Sequence, residues 1–159
     1  MYGPIDSFTF EHDGREYVAE IHADDSGTPW DNCTPYATPQ QSSRDYSGNV
    51  KKAAGEIVLH TGGRNEYSYV YPFAEAVRQL RKEGVSGQDA VKNVNAEVER
   101  FRSWLNDEWH YVGVVVRLAG SCSKCGKSES LWGIESDCED YIREVANELA
   151  QELTGTVSA

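Results

Sequence analysis

Apolar and polar positions along the chain follow three rhythms, and each rhythm marks a different kind of element. Phe8 and Phe10 alternate with polar residues, and after His12-Asp13-Gly14-Arg15 come Tyr17, Val18, Ala19 and Ile21. Short strand patterns on both sides of an Asp-Gly pair predict a β-hairpin. Gly55 to His60 (GEIVLH) reads as a third short strand, ended by Gly62-Gly63. His110 to Leu118 (HYVGVVVRL) is β-branched and almost continuously apolar, as in a central strand covered on both faces. Ala119 to Lys127 turns that strand back into another, Ser128 to Ile134.

The second rhythm is helical. Pro72 suits the first position of a helix. Phe73, Ala76, Val77 and Leu80 share one face, and Gly84 ends the run. Ser86 is placed to cap a second helix, in which Val91, Val94, Val98, Phe101 and Leu105 recur at three- and four-residue spacing. Ser136-x-x-Glu139 has the form of a capping box. It introduces a last helix from about Asp137 to Leu153, with Tyr141, Ile142, Val145, Leu149 and Leu153 facing inward.

The third rhythm is no rhythm at all. Asp24 to Ala54 is rich in Ser, Pro, Thr, Asp, Asn and Gln and reads as one long irregular loop. Loops of that length in compact domains are commonly functional. The order ββ–loop–β–αα–ββ–α predicts an α+β fold, an antiparallel sheet of about five strands with three helices mainly on one face. A single domain over 1–159 is expected, with the chain fraying after about residue 154.

Composition narrows the function. Apolar residues make up 39% and charged residues 26% of the 159, in the ordinary globular range. No stretch has the roughly 18 consecutive apolar residues of a membrane span. The opening MYGPIDSFTFEHDG lacks a basic and an apolar region, so a cytoplasmic protein with no membrane role is expected. The net charge of −11 argues against binding a nucleic-acid backbone, which draws its affinity from Lys and Arg. It favours a protein partner with a basic surface.

The last helix carries the most unusual pattern. Asp140, Glu144, Glu148 and Glu152 are spaced by four, and only Arg143 is basic in the segment. Like charges at that spacing cost a helix roughly 0.2–0.5 kcal/mol per pair. Carboxylates about 6 Å apart along a helix resemble phosphates along a nucleic-acid strand, so the row suits partner recognition by imitation of DNA. As a solvated helix face it needs no partner. Trp30 and Asp31, in Thr-Pro-Trp-Asp, join the partner-binding candidates: an aromatic in a polar loop either anchors a partner or pins the loop to the sheet.

Two other constellations keep further readings open. Asp107, Glu108 and His110, between Trp104 and Tyr111, are residue types for acid–base work or metal-assisted hydrolysis, as in a hydrolase or nuclease. They also suit a polar helix-to-strand corner. Cys122-Ser-Lys-Cys125-Gly-Lys has the form of a zinc knuckle, with Cys138 and Cys33 as further thiolates, although no second paired motif completes four ligands. That reading is a zinc-containing nucleic-acid-binding module. The leading expectation is no cofactor and no catalytic residue. P-loop, nucleophile-elbow, zincin and dinucleotide motifs do not occur in the sequence.

Longer blocks carry a resemblance. They are Asp24-Asp25-Ser-Gly-Thr-Pro29-Trp30-Asp31, Gly55-Glu56-x-Val58-Leu59 and Tyr71-x-Phe73-Ala74-Glu75-Ala76. The strongest are Trp104-x-Asn-Asp-Glu-Trp-His-Tyr-Val-Gly-Val-Val-Val and Ser130-Leu-Trp-Gly-Ile-Glu-Ser followed by Tyr141-Ile. With these the chain resembles a group of small acidic proteins of unassigned activity encoded by tailed bacteriophages, prophages and mobile elements. The Cys122/Cys125 loop and the region around Arg44 to Lys52 fall outside the blocks. The resemblance implies a genomic context and no reaction. With the acidic row, it leads to the expectation of a phage accessory protein. Such a protein would bind, without catalysis, a host nucleic-acid-handling or defence protein, as anti-restriction and anti-CRISPR inhibitors do.

Overall fold

The computed structural model describes residues 3–63, 67–121 and 126–157. They form an α+β structure with antiparallel sheets and divide into two compact units, Met1–Ser26 with Trp109–Ala159, and Gly27–Glu108. The expected single sheet of about five strands is corrected to two sheets, of four and three strands.

The first unit holds β1 (Asp6–His12), β2 (Arg15–Ala23), β6 (Tyr111–Leu118), β7 (Ser128–Glu135) and α4 (Glu139–Val157). The strands lie in the order β1-β2-β6-β7. Asp13 and Gly14 both take positive φ, 49° and 74°, the backbone that a two-residue hairpin needs to match strand twist. Tyr17, Ala19, Val112, Val114, Val116 and Ile134 of the sheet close on Ile142, Val145, Ala146, Leu149, Ala150 and Leu153 of α4. Tyr141, expected inward, is 49% exposed, because the 3.6-residue period turns it off the face that Ile142 and Val145 share. α4 also starts later and ends later than expected. Ser136 extends the β6–β7 pairing instead of capping the helix: its N–H donates to the His110 carbonyl (2.8 Å) and its hydroxyl accepts the His110 N–H (3.0 Å).

The second unit holds α1 (Pro29–Asn32), β3 (Gln40–Ser42), β4 (Ile57–His60), β5 (Ser68–Tyr71), α2 (Phe73–Lys82) and α3 (Gly87–Leu105). Its strands pair in the order β3-β5-β4. The segment expected as one irregular loop therefore contains α1 and β3, and a further turn closed by an Arg44–Val50 bridge. Asp45 ties that turn together, accepting the N–H of Ser47 (2.8 Å) and of Asn49 (2.9 Å). β4 is an edge strand, and Arg102 of α3 reaches its backbone. The guanidinium donates to the carbonyls of Val58 (2.7 Å) and Leu59 (3.3 Å), so part of the polar backbone of this strand is engaged by a side chain.

α3 begins as expected, with the Ser86 hydroxyl accepting the Asp89 N–H at 3.2 Å. Its buried stripe is Ala90, Val94, Val98 and Phe101; Val91 stands 40% exposed and Ala90 takes its place. Both long helices of this unit close with the same backbone motif. Val85 N–H reaches the Leu80 carbonyl past Gly84, and Glu108 N–H reaches the Ser103 carbonyl past Asp107.

Candidate functional site

α4 forms because its apolar residues recur with the helical period and bury one stripe against the four-stranded sheet. That burial decides where the acidic residues go. Asp140, Glu144, Glu148 and Glu152 are all exposed. A four-residue step advances a helix by about 400°, so the row winds by roughly 40° per step over a distance of about 6 Å each. On the same periodicity Tyr141 falls among these carboxylates, and it is half exposed.

No ion pair or hydrogen bond engages the side chains of Asp140, Glu144 or Glu148 among the described residues. Arg143, the one basic residue of α4, is drawn to the other flank of the helix. Its guanidinium carbon lies 4.6 Å from the centre of the Phe8 ring on β1, a cation–π contact. The helix thus presents one sign of charge along one side. Chemically, such a surface attracts cations, and it offers acceptors to Lys and Arg side chains.

Trp30 and Asp31 lie in the second unit, on α1. Trp30 is partly buried, its ring 5.5 Å from Tyr69, 5.5 Å from Phe101 and 5.6 Å from Trp104. Those contacts tie the 29–32 turn to the helical core. Asp31 is exposed, and its carboxylate accepts the Thr28 hydroxyl at 2.7 Å, closing the helix start.

Asp107 and Glu108 end the second unit, and His110 is the second residue of the closing segment of the first. Each has a local backbone role. Asp107 (φ 58°) supplies the left-handed residue that ends α3, and the Glu108 N–H satisfies the Ser103 carbonyl at 2.9 Å. His110 is engaged by Ser136 through its backbone, with the ring Nδ1 3.4 Å from the Ser136 hydroxyl.

Cys122 and Cys125 lie outside the described residues. Cys33 is exposed at the end of α1 in the second unit, and Cys138 precedes α4 in the first. Cys138 has two acidic neighbours: one ligand atom each from Glu135, Asp137 and Cys138 lies within 4.8 Å of the others. A zinc ion is a poor match for two carboxylates and one thiol compared with a thiolate-rich set.

Two polar devices escaped sequence reading. Asp24, just past β2, reaches β7 and accepts the Gly133 N–H at 2.9 Å, while also accepting the N–H and hydroxyl of Ser26. Burial alone would raise its carboxyl, but these hydrogen bonds together outweigh it and hold the carboxyl below its ordinary value. Glu97 of α3 accepts the buried Tyr71 hydroxyl and, at 3.1 Å on each oxygen, the Tyr36 N–H. Burial, then the hydrogen bond to Glu97 and its charge, push the Tyr71 phenol far up. The only local signal for either device was the acidic residue itself.

No helix among the described residues is long and apolar enough to cross a membrane. Comparison of the chain with family models, with curated proteins and with solved structures returned no match.

Proposed function

We propose that the chain acts by non-catalytic binding, as a phage or prophage accessory protein working in the host bacterial cytoplasm. Its partner presents a basic surface, and the class favoured is a host nucleic-acid-handling or defence protein. The acidic face of α4 stands in for the phosphates that such a partner grips. The observation that carries the reading is the exposed Asp140–Glu144–Glu148–Glu152 row with Arg143 turned away onto Phe8. A row that repels itself is costly to a helix, and core packing accounts for none of it. Tyr141, half exposed among the carboxylates, adds the kind of aromatic that anchors interfaces. The resemblance to phage-encoded proteins supplies the context.

The test is capture from infected host cells. Wild-type protein should retain a basic host partner that is released as salt is raised, because charge pairing at an exposed surface is screened. Glu144→Lys with Glu148→Lys should abolish capture. A partner retained at full strength by that variant removes the row from recognition.

A hydrolase built on Asp107, Glu108 and His110 is the second reading, and it has less to support it. Asp107 and Glu108 are accounted for by the end of α3, and His110 by its contacts to Ser136. Zinc, if carried by Cys122, Cys125, Cys138 and Cys33, would appear on elemental analysis of natively purified protein.

A further inference from the structure

The core face of β2 ends in a residue that does not belong in a core. Arg15 alternates with Tyr17, Ala19 and Ile21, so it stands on the side of the sheet that α4 covers. A cavity of about 150 Å3 opens there, lined by Arg15, Tyr17, Leu118, Ser121, Lys127 and Leu153. Leu118 pairs with Tyr17 and shares the core face of β6, yet it is 40% exposed, as a residue facing a cavity would be.

Three polar side chains of this cavity lack protein partners among the described residues; the fourth, Ser121, donates its hydroxyl to the Leu118 carbonyl at 2.6 Å. The exposed side chains of Arg15 and Lys127 make no ion pair or hydrogen bond among the described residues, in a protein of net charge −11. Tyr17 is 2% exposed and its hydroxyl makes no hydrogen bond among the described residues. No fully enclosed side-chain polar atom there lacks a partner, so this hydroxyl is not sealed in the core: it reaches the cavity that the residue lines. At the cavity wall it is free to meet a polar atom of a ligand.

We propose that this cavity is a binding site for a small aromatic carboxylate, of the benzoate class. A cavity of about 150 Å3 lined by aliphatic and aromatic carbon is the size that holds one benzene ring. Leu118, Leu153 and the Tyr17 ring supply the apolar walls. Arg15 and Lys127 supply the charge that a carboxylate pairs with, and the Tyr17 hydroxyl supplies a hydrogen bond. The same groups exclude amines by charge and nucleotides by size. This site is separate from the acidic row and does not rest on the partner reading above.

The experiment is a titration of the isotope-labelled full chain, followed by amide NMR, with benzoate, benzyl alcohol and benzylamine as probes. Benzoate should give saturable shifts at Arg15, Tyr17, Leu118, Ser121 and Leu153. Its affinity should exceed that of benzyl alcohol by about tenfold, the scale of one charge-assisted contact, and benzylamine should not compete. Tyr17→Phe should weaken benzoate by about fivefold. Arg15→Gln with Lys127→Gln should reduce benzoate to the level of benzyl alcohol. No saturable shift by about 20 mM, well above the affinity that so few ligand atoms allow, overturns the proposal. So does equal binding of the three probes, or shifts that map elsewhere. The comparison of probes on the wild-type chain needs no variant, so the proposal stands or falls even where a variant misfolds.

Discussion

The indole of Trp132 lies across Gly113: a Cβ built on that glycine would stand 2.1 Å from Trp132 Cε3. Gly113 sits between the buried Val112 and Val114, so it faces the side of the sheet away from α4. A side chain there must displace the tryptophan. Gly113→Ala should lower the unfolding free energy by about 1–3 kcal/mol, the usual cost of overpacking. In Gly113→Ala with Trp132→Ala the two losses should not add, since the second change removes the clash. Denaturant titration of the four proteins measures both quantities.

Asp107 holds φ 58°, a position that glycine fills at the end of most such helices. Asp107→Gly should stabilise the protein by about 0.5–1 kcal/mol by removing the Cβ from a left-handed residue. The same change should leave partner capture intact, since the acidic row of α4 is untouched. Thermal unfolding measures the gain.

Reversing charge along α4 should not weaken the fold. Glu144→Lys with Glu148→Lys replaces like-charged neighbours by opposite ones at Asp140/Lys and Lys/Glu152, each worth about 0.2–0.5 kcal/mol. The midpoint of thermal unfolding should hold or rise. A fall would mean that lost capture reports misfolding instead of lost recognition.

Asp24 links pH to stability with a definite sign. Its folded carboxyl is held below the ordinary value, while the unfolded one titrates near the normal carboxylate range, about 3.9. Its contribution is therefore complete above about pH 4 and is lost as pH falls through the depressed folded value. The Asp24→Asn variant should lose less stability over that acid range than the wild type. Unfolding titrations at stepped pH test it.

Glu97 fastens the Tyr36–Ala37 segment to the core through two partners at once. Glu97→Ala should cost about 1–3 kcal/mol, because it leaves the buried Tyr71 hydroxyl without its charged acceptor. The Tyr36 amide should exchange with solvent faster in that variant, while amides of the β1–β2 hairpin should keep their protection. Hydrogen exchange read residue by residue decides this.

The contrast between Gly84 and Asp107 marks where sequence stops and tertiary structure begins. Both end a helix by the same pair of backbone bonds, but only Gly84 announces it, because glycine has a local reason to sit at positive φ. The Asp13-Gly14 hairpin, α2, α3, the valine-rich β6 and α4 were legible for the same kind of reason: turn chemistry and hydrophobic period act within a few residues. α1, β3 and β5 were not, at four, three and four residues. Their support comes from far along the chain: Trp30 rests on Phe101 and Trp104, and β5 exists because β3 and β4 flank it. The division into two sheets is equally non-local, and Arg102 bonds the backbone of β4 from 44 residues beyond Val58. Spacing alone placed the four carboxylates of α4 on one side of a helix. Only packing decided that this side faces outward and that Arg143 leaves it for Phe8, because burial is set by what the rest of the chain brings against each face.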